Sequence, residues 1–142
     1  MELKVKKLHK DAEYRRATEG SAGIDLKACE VLPQPFKGYT EVKTGLSFEI
    51  PVNHVGLLFP RSSISERANL RLLNSVGVID SDYRGEVTMR FSYRGVADDQ
   101  QYKKGEFVGQ MVILPIPSLE IVETQDLSTT ERNAGGYGST GV

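Results

Sequence analysis

Residues 77–93 read GVIDSDYRGEVTMRFSY, and this stretch decides the fold class. In its second half, apolar residues alternate with polar ones from Val87 to Tyr93, which is the two-residue period of a half-buried β-strand. The first half carries an apolar run into two aspartates, a tyrosine and an arginine. Asp-Ser-Asp in such a place forms either a surface turn bonded to its own backbone or part of a site that holds a nucleotide and activates water.

The two-residue period recurs along most of the chain, including residues 24–28 and 46–50. Residues 54–59 and 107–116 are more continuously apolar, as strands covered on both faces are. Short segments rich in proline, glycine and asparagine separate these runs. A helical turn is expected only near Ser65–Leu73. The pattern predicts an all-β barrel or sandwich.

Size and composition describe an ordinary globular chain of 142 residues with a formal net charge of −1. That charge argues against a general nucleic-acid binder, which needs many basic groups to neutralise phosphates. The single cysteine, Cys29, cannot form an intrachain disulfide and is expected to be an inert core or edge residue. His9 and His54 lack metal-site spacing, so no direct metal site is expected.

Neither a signal peptide nor a membrane span is expected from the sequence. The N-terminus has no apolar run of signal-peptide length, and no segment approaches the ~20 apolar residues that cross a bilayer. The expected location is therefore the cytoplasm, with neither a membrane nor a nucleic acid as partner.

The C-terminal segment differs in composition from the rest. From Thr124 onward apolar residues no longer recur with a two-residue period, and residues 132–142 contain four glycines. Composition alone predicts a flexible tail. However, the segment also carries a guanidinium, an aromatic ring and two hydroxyls, which suit a tail that orders over an anionic ligand. We therefore divide the chain into a β-barrel domain, residues 1–123, and a C-terminal arm, residues 124–142.

Three further segments have related chemistry. Pro60-Arg61-Ser62-Ser63 follows an apolar strand with a guanidinium and two hydroxyls, which bind phosphate well but also occur in solvated loops. Ala22–Leu26 places Asp25 inside an apolar strand, where a carboxylate needs partners and has either a structural or a functional role. In Gly109-Gln110-Met111, Gln110 lies within the last long strand and is suited to bond either backbone groups or a ligand.

Taken in order, these segments resemble the five motifs of the trimeric dUTP nucleotidohydrolases, or dUTPases. The resemblance covers essentially the whole chain, through Ala22–Leu26, Pro60–Ser63, Gly77–Gly85, Gly109–Met111 and Arg132–Gly141. It implies a jelly-roll-like β-barrel that assembles as a homotrimer. In that family each active site takes the third motif from one subunit, the first, second and fourth from a neighbour, and the tail from the third.

The resemblance implies hydrolysis of dUTP to dUMP and pyrophosphate, which keeps uracil out of DNA and supplies dUMP for thymidylate synthesis. Asp80 corresponds to the aspartate that activates water for attack on the α-phosphorus. Tyr83 corresponds to the ring that packs on deoxyribose and excludes a 2′-hydroxyl. Recognition of uracil is assigned to Asn74 and the backbone of Gly77, Val78 and Ile79.

Phosphate recognition is likewise implied by the resemblance. It assigns triphosphate contacts to Arg61, Ser62, Ser63 and Gln110, and a terminal-phosphate contact to Arg132. In the arm, stacking on uracil is assigned to Tyr137, and phosphate contacts to Gly138, Ser139 and Thr140. Mg²⁺ is the implied cofactor, carried by substrate phosphates and waters without a direct protein ligand. Asp25 either contacts one of those waters or only braces the site.

This chain departs from the family pattern at a few positions. Ser63 stands where glycine is usual, Asn133-Ala134 replace a glycine-containing start of the fifth motif, and Tyr137 replaces phenylalanine. Tyrosine keeps the stacking face, so activity is expected to survive.

Two other functions compete with dUTP hydrolysis. One is that of a dCTP deaminase-type barrel, which shares an Arg-Ser-Ser run, and the other is that of a non-catalytic nucleotide-sensing barrel.

Overall fold

The computed structural model describes residues 1–67, 70–92 and 101–136, and within them the chain is all-β. Single turns of 3-10 helix occur at Pro35–Lys37 and Ser62–Glu66, and the described part contains no α-helix. The strands are β1 (Lys4–Lys7), β2 (Tyr14–Arg15), β3 (Ile24–Lys27), β4 (Glu30–Gln34), β5 (Tyr39–Lys43), β6 (Leu46–Glu49), β7 (His54–Pro60), β8 (Gly77–Ile79), β9 (Thr88–Ser92) and β10 (Phe107–Pro115).

The strands form three antiparallel groups. The largest is a five-stranded sheet in the order β2-β3-β10-β7-β8. A three-stranded sheet has the order β4-β5-β9, and β1 pairs with β6. The two most continuously apolar segments, β7 and β10, lie side by side inside the large sheet, paired from Gly109↔Pro60 to Pro115↔His54.

The core confirms the alternation seen in the sequence. On β9, Met89 and Phe91 are buried while Arg90 between them is exposed. Cys29 is also buried, as expected. The largest fully buried side chains come from several strands and pack into one cluster: Leu26, Val42, Leu46, Phe48, Met89, Phe91, Val108 and Met111.

Two local features differ from the sequence-based expectation. β4 continues through Pro33, although proline-rich segments were expected to separate the strands. It is tolerated because β4 is an outer strand paired with β5, and an outer strand does not need every N–H for a ladder. The helical turn at Ser62–Glu66 begins earlier than the expected Ser65–Leu73, and residues 68 and 69 lie outside the described part.

Beyond β10 the chain carries unpacked apolar side chains. The Ile116 N–H donates to the Asn53 carbonyl at 2.8 Å, and residues 117–136 form no strand. Large apolar side chains in this stretch are exposed, namely Ile116, Leu119, Ile121, Val122 and Leu127. In the described ranges, the structure has no helix with the length and apolar character needed to cross a membrane.

Candidate active site

Asp80 follows β8 in a tight turn on the protein surface. Its backbone carbonyl accepts a hydrogen bond from the Tyr83 N–H at 3.2 Å, so the chain reverses between these two residues. The Arg84 guanidinium donates to the Ser81 carbonyl at 2.7 Å and to the Tyr83 carbonyl at 3.0 Å. The turn is therefore held by backbone acceptors, and the Asp80 carboxylate is left exposed to solvent.

Tyr83 is held in place by the residues that follow it. Its hydroxyl donates to the Glu86 carbonyl at 3.1 Å, and its ring lies against Gly85. A β-carbon on Gly85 would lie 2.3 Å from the Tyr83 hydroxyl oxygen, which is far inside van der Waals contact. Only glycine at position 85 therefore permits this ring position, in which Tyr83 remains 44% exposed.

The turn is anchored to β6 and to the residue that precedes it by polar residues that the sequence did not single out. Ser47 on β6 donates its hydroxyl hydrogen to the Arg84 carbonyl at 2.7 Å. The Glu86 carboxylate accepts the N–H of Gly45 at 2.7 Å. In the sequence Ser47 stands between Leu46 and Phe48, which places it on the polar face of β6, yet the structure buries it. A buried hydroxyl needs a partner, but only the structure shows that this one is buried.

A second turn leads into β8 and presents Asn74. Ser75 has a left-handed φ of 59°, and the Val76 N–H donates to the Asn74 carbonyl at 2.5 Å. The Asn74 amide nitrogen lies 3.7 Å from the position of a β-carbon on Gly77. A concavity of about 420 Å³ opens beside this turn, lined by Tyr39, Leu73, Asn74, Thr88 and Arg90.

A separate polar cluster forms where β3, β7 and β10 run side by side. Gln110 is paired with Asp25 on one side and with Phe59 on the other, so the side chains of this row project to the same face. The Gln110 amide donates to the Pro60 carbonyl at 3.4 Å. A β-carbon on Gly23 would lie 2.5 Å from the Gln110 side-chain oxygen, so this glycine makes room for Gln110.

Asp25 is a nearly buried carboxylate between two arginines. One oxygen lies 3.3 Å from the Arg61 Nε, and the other lies 3.3 Å from the Arg15 Nε. The Asp25 side chain is 10% exposed, and pairing offsets the cost of burying its charge. Arg15 was not predicted as a site residue. The structure thus brings Asp25, Arg61 and Gln110 together, as the first, second and fourth motifs require.

Arg67 holds the Ser62–Glu66 turn to the segment that precedes β10. Its guanidinium donates to the Gln101 carbonyl at 2.8 Å and to the Glu106 carboxylate at 2.6 Å, and it stacks 4.4 Å from the Tyr102 ring centroid. Ser62 and Ser63 lie exposed on this anchored turn, next to Arg61. The turn therefore presents two hydroxyls from a fixed backbone.

The structure does not bring Asp80 and Arg61 together within one chain. Ile79 on β8 is paired with Gly56 on β7, so Asp80 follows beside the start of β7. Arg61 comes directly after the other end of β7. At about 3.3 Å per residue, the positions of Asp80 and Arg61 are separated by roughly 20 Å along the strand.

The described part of the arm makes local bonds. The Arg132 Nε donates to the Gly135 carbonyl at 2.9 Å, and the Asn133 side chain accepts the Thr130 N–H at 2.9 Å. Asn133 has a φ of 43°, in the left-handed region that asparagine tolerates better than most residues. The remaining predicted site residues of the arm lie outside the described residues: Tyr137, Gly138, Ser139 and Thr140.

Comparison with known proteins identifies the family. The dUTPase family model matches residues 11–141, and the chain belongs to this family. A deoxyuridine 5′-triphosphate nucleotidohydrolase from Hydrogenobaculum sp. is 40% identical over 146 residues, which cover 100% of this chain and 99% of that protein. The protein is therefore an enzyme that hydrolyses dUTP, and this prediction is confirmed.

Solved structures agree with the fold. A mutant of the Staphylococcus bacteriophage 80alpha dUTPase, solved with dUpNHpp, superposes with a TM-score of 0.84 at 28% identity and covers 99% of each chain. A mutant dUTPase from phage phi11 of S. aureus has a TM-score of 0.73 at 23% identity, over 89% of this chain and 98% of its own. That phi11 protein coordinates a structural Mg(II) ion.

Proposed function

We propose that Asp80 is the general base that activates water for attack on the α-phosphorus of dUTP, releasing dUMP and pyrophosphate. Its exposed carboxylate stands at the end of β8, in a turn fixed by the Tyr83 N–H bond to its carbonyl. A positioned carboxylate is a suitable proton acceptor for a water nucleophile. Direct attack by water needs no covalent intermediate.

Base and sugar recognition are proposed for the two turns that flank β8. The Asn74 amide and the backbone of Gly77, Val78 and Ile79 read the polar edge of uracil. Cytosine places an amino group where uracil has an oxygen, which would leave buried polar groups unpaired. Tyr83 packs on the deoxyribose and leaves no space for a 2′-hydroxyl.

Substituting Gly85→Ala is expected to weaken the discrimination between dUTP and UTP. A β-carbon there overlaps the Tyr83 hydroxyl end, so the ring must move from its position against Gly85. We expect the ratio of kcat/KM for dUTP over UTP to fall by about tenfold. Gly20→Ala is the matched control, because its added β-carbon meets no atom within 4 Å. An unchanged ratio in Gly85→Ala would show that the ring position does not set sugar specificity.

Triphosphate binding is proposed for the second cluster together with the arm. Arg61, Ser62, Ser63 and Gln110 contact the phosphates, because a guanidinium and hydroxyls on an anchored turn are good phosphate donors. In the arm, Arg132 pairs with the terminal phosphate. Tyr137 stacks on uracil, and Gly138, Ser139 and Thr140 add contacts as the arm closes over the ligand. The arm comprises residues 124–142 and the barrel domain residues 1–123.

Mg²⁺ is the proposed cofactor, carried by phosphate oxygens and waters. Among the described residues, no group of three or more His, Cys, Asp or Glu side chains is placed to hold a metal ion. Both Asp25 oxygens face arginines, which supports bracing rather than a contact to a metal-bound water. When bound, the ion neutralises charge on the triphosphate.

A cytoplasmic location, with neither a membrane nor a nucleic acid as partner, stays a prediction.

A homotrimer with shared sites is proposed from one observation, the distance between Asp80 and Arg61. Roughly 20 Å of β7 lies between these positions in one chain, so the two groups serve one triphosphate only if they come from different chains. The exposed apolar side chains from Ile116 to Leu127 support this proposal, because such a stretch is expected to pack on a neighbouring subunit.

Mixing two inactive variants tests the shared site. Asp80→Asn and Arg61→Gln chains, co-expressed with different tags, should each form inactive homotrimers. In a mixed ring of three, one of the three sites receives both Asp80 and Arg61 intact. Random assembly of equal amounts should therefore restore about one quarter of wild-type turnover. If the co-purified mixed trimers are no more active than the separate variants, the two residues act within the same chain and the proposal is wrong.

A further inference from the structure

We infer that Arg15 is a positioning residue for triphosphate binding, acting through Asp25 on Arg61. The inference rests on the proposed role of Arg61 as a phosphate contact. β2 is a two-residue strand at the edge of the large sheet, and Arg15 is paired directly with Asp25 on β3. Because directly paired residues project to the same face, the Arg15 side chain reaches the polar row that continues to Gln110.

The charge of the Arg15–Asp25–Arg61 cluster favours binding of a triphosphate. Asp25 accepts from the Nε of Arg15 at 3.3 Å and faces the Nε of Arg61 at 3.3 Å, each through its own oxygen. Arg61 and Asp25 alone would form a neutral pair at a place that must attract a triphosphate. With Arg15 the trio carries a net positive charge, since two guanidiniums share one carboxylate. Neighbouring Lys27 adds nothing to this balance, because it pairs with Glu13.

The orientation of the Arg61 guanidinium also depends on its neighbours. A register shift between Phe107 and Gly109 marks a bulge in β10 next to the cluster. The Arg15 guanidinium carbon lies 4.1 Å from the Phe107 ring centroid, and that of Arg61 lies 5.7 Å from the same centroid. Both guanidiniums are thus attracted to one aromatic ring as well as to one carboxylate. Removing Arg15 would leave the Asp25 carboxylate to Arg61 alone, and it would leave the Phe107 ring to Arg61 and Lys27, whose Nζ also lies 5.7 Å from the centroid. The equilibrium position of the Arg61 guanidinium would then shift toward the carboxylate.

Binding of dUpNHpp with Mg²⁺ provides the test, measured by titration calorimetry and compared with binding of dUMP. Arg15→Gln should weaken dUpNHpp binding by about tenfold, while dUMP binding changes by less than about twofold. The KM for dUTP should rise by a similar factor with kcat nearly unchanged, because the lost interaction concerns binding of the phosphates. In an Arg61→Gln background, Arg15→Gln should weaken dUpNHpp binding by less than about threefold, because the part of its effect that acts through Arg61 is already lost.

The matched control is Lys43→Gln, since Lys43 is also a strand residue paired across the sheet with a carboxylate, that of Glu30 at 3.0 Å. It should leave dUpNHpp binding and KM unchanged. Equal weakening of dUMP by Arg15→Gln, or full additivity with Arg61→Gln, would overturn the inference. If Arg61→Gln itself binds dUpNHpp like the wild type, the proposed role of Arg61 fails and the inference with it. If Arg61→Gln is weak and Arg15→Gln is not, only the inference fails.

Discussion

Replacing Asp80 by asparagine is expected to lower kcat about a thousandfold, the range found when a positioned general base is lost. Asparagine has nearly the same shape but does not accept the proton from water. The turn should persist, because it is the backbone carbonyl of Asp80 that accepts the Tyr83 N–H. Pyrophosphate release from dUTP measures the rate, and calorimetry with dUpNHpp should give a dissociation constant within about threefold of the wild type.

The matched control is Asp82→Asn, which changes an exposed carboxylate two residues away in the same turn. It should keep kcat within about twofold of the wild type, because the proposed mechanism gives it no proton to accept. If the two variants lose turnover equally, the loss reflects the electrostatics or stability of the turn and not one base. A near-normal rate in Asp80→Asn would reject Asp80 as the base outright.

Deleting residues 132–142 is expected to lower kcat/KM by at least about a hundredfold, because closure removes water and brings donors to the phosphates. Folding should survive the deletion. The bonds of Arg132 and Asn133 in the structure are made to Gly135 and Thr130, within the arm itself. The thermal unfolding midpoint of the truncated protein should therefore stay within about 3 °C of the full-length value.

Trimers that mix two variants distinguish an arm that closes over an active site from an arm that only stabilises the fold. Chains truncated after residue 131 keep Asp80, and full-length Asp80→Asn chains keep the arm. If the arm closes a site on another subunit, co-expressed mixed trimers should regain activity that both parents lack. Absence of any recovery would mean that the arm serves a site containing its own Asp80. A truncated chain that fails to fold would show instead that residues 132–142 stabilise the fold.

Much of the fold was predictable because local periodicity and burial agree. Met89 and Phe91 alternate with Arg90 in the sequence and do so in the structure. The strand through Pro33 was harder to predict, because its tolerance depends on an outer position in the sheet. The order of the strands in the sheets could not be predicted, because it depends on pairing between segments that are distant in the sequence.

The site shows the same division between local and long-range information. Arg15 and Arg16 are identical in type and adjacent in sequence, yet Arg15 pairs with Asp25 while Arg16 donates to the Ser21 carbonyl at 2.8 Å. Only the register of β2 on β3 separates their roles. Motif chemistry was enough to select Asp25, Arg61 and Gln110, which the structure brings together. The distance between Asp80 and Arg61 could not be predicted from the motifs, because it depends on the pairing of β8 with β7.

The apolar side chains between Ile116 and Leu127 have a consequence for the life of the protein in the cell. Ile121 is 96% exposed and Leu127 86% exposed in the single chain. A newly synthesised chain therefore has an exposed apolar surface until another surface packs against it, and exposed apolar surface promotes aggregation. If the proposed trimer covers this surface, substitutions far from the nucleotide that slow its assembly would remove the protein by precipitation or proteolysis, even though every chemical group needed for hydrolysis is intact.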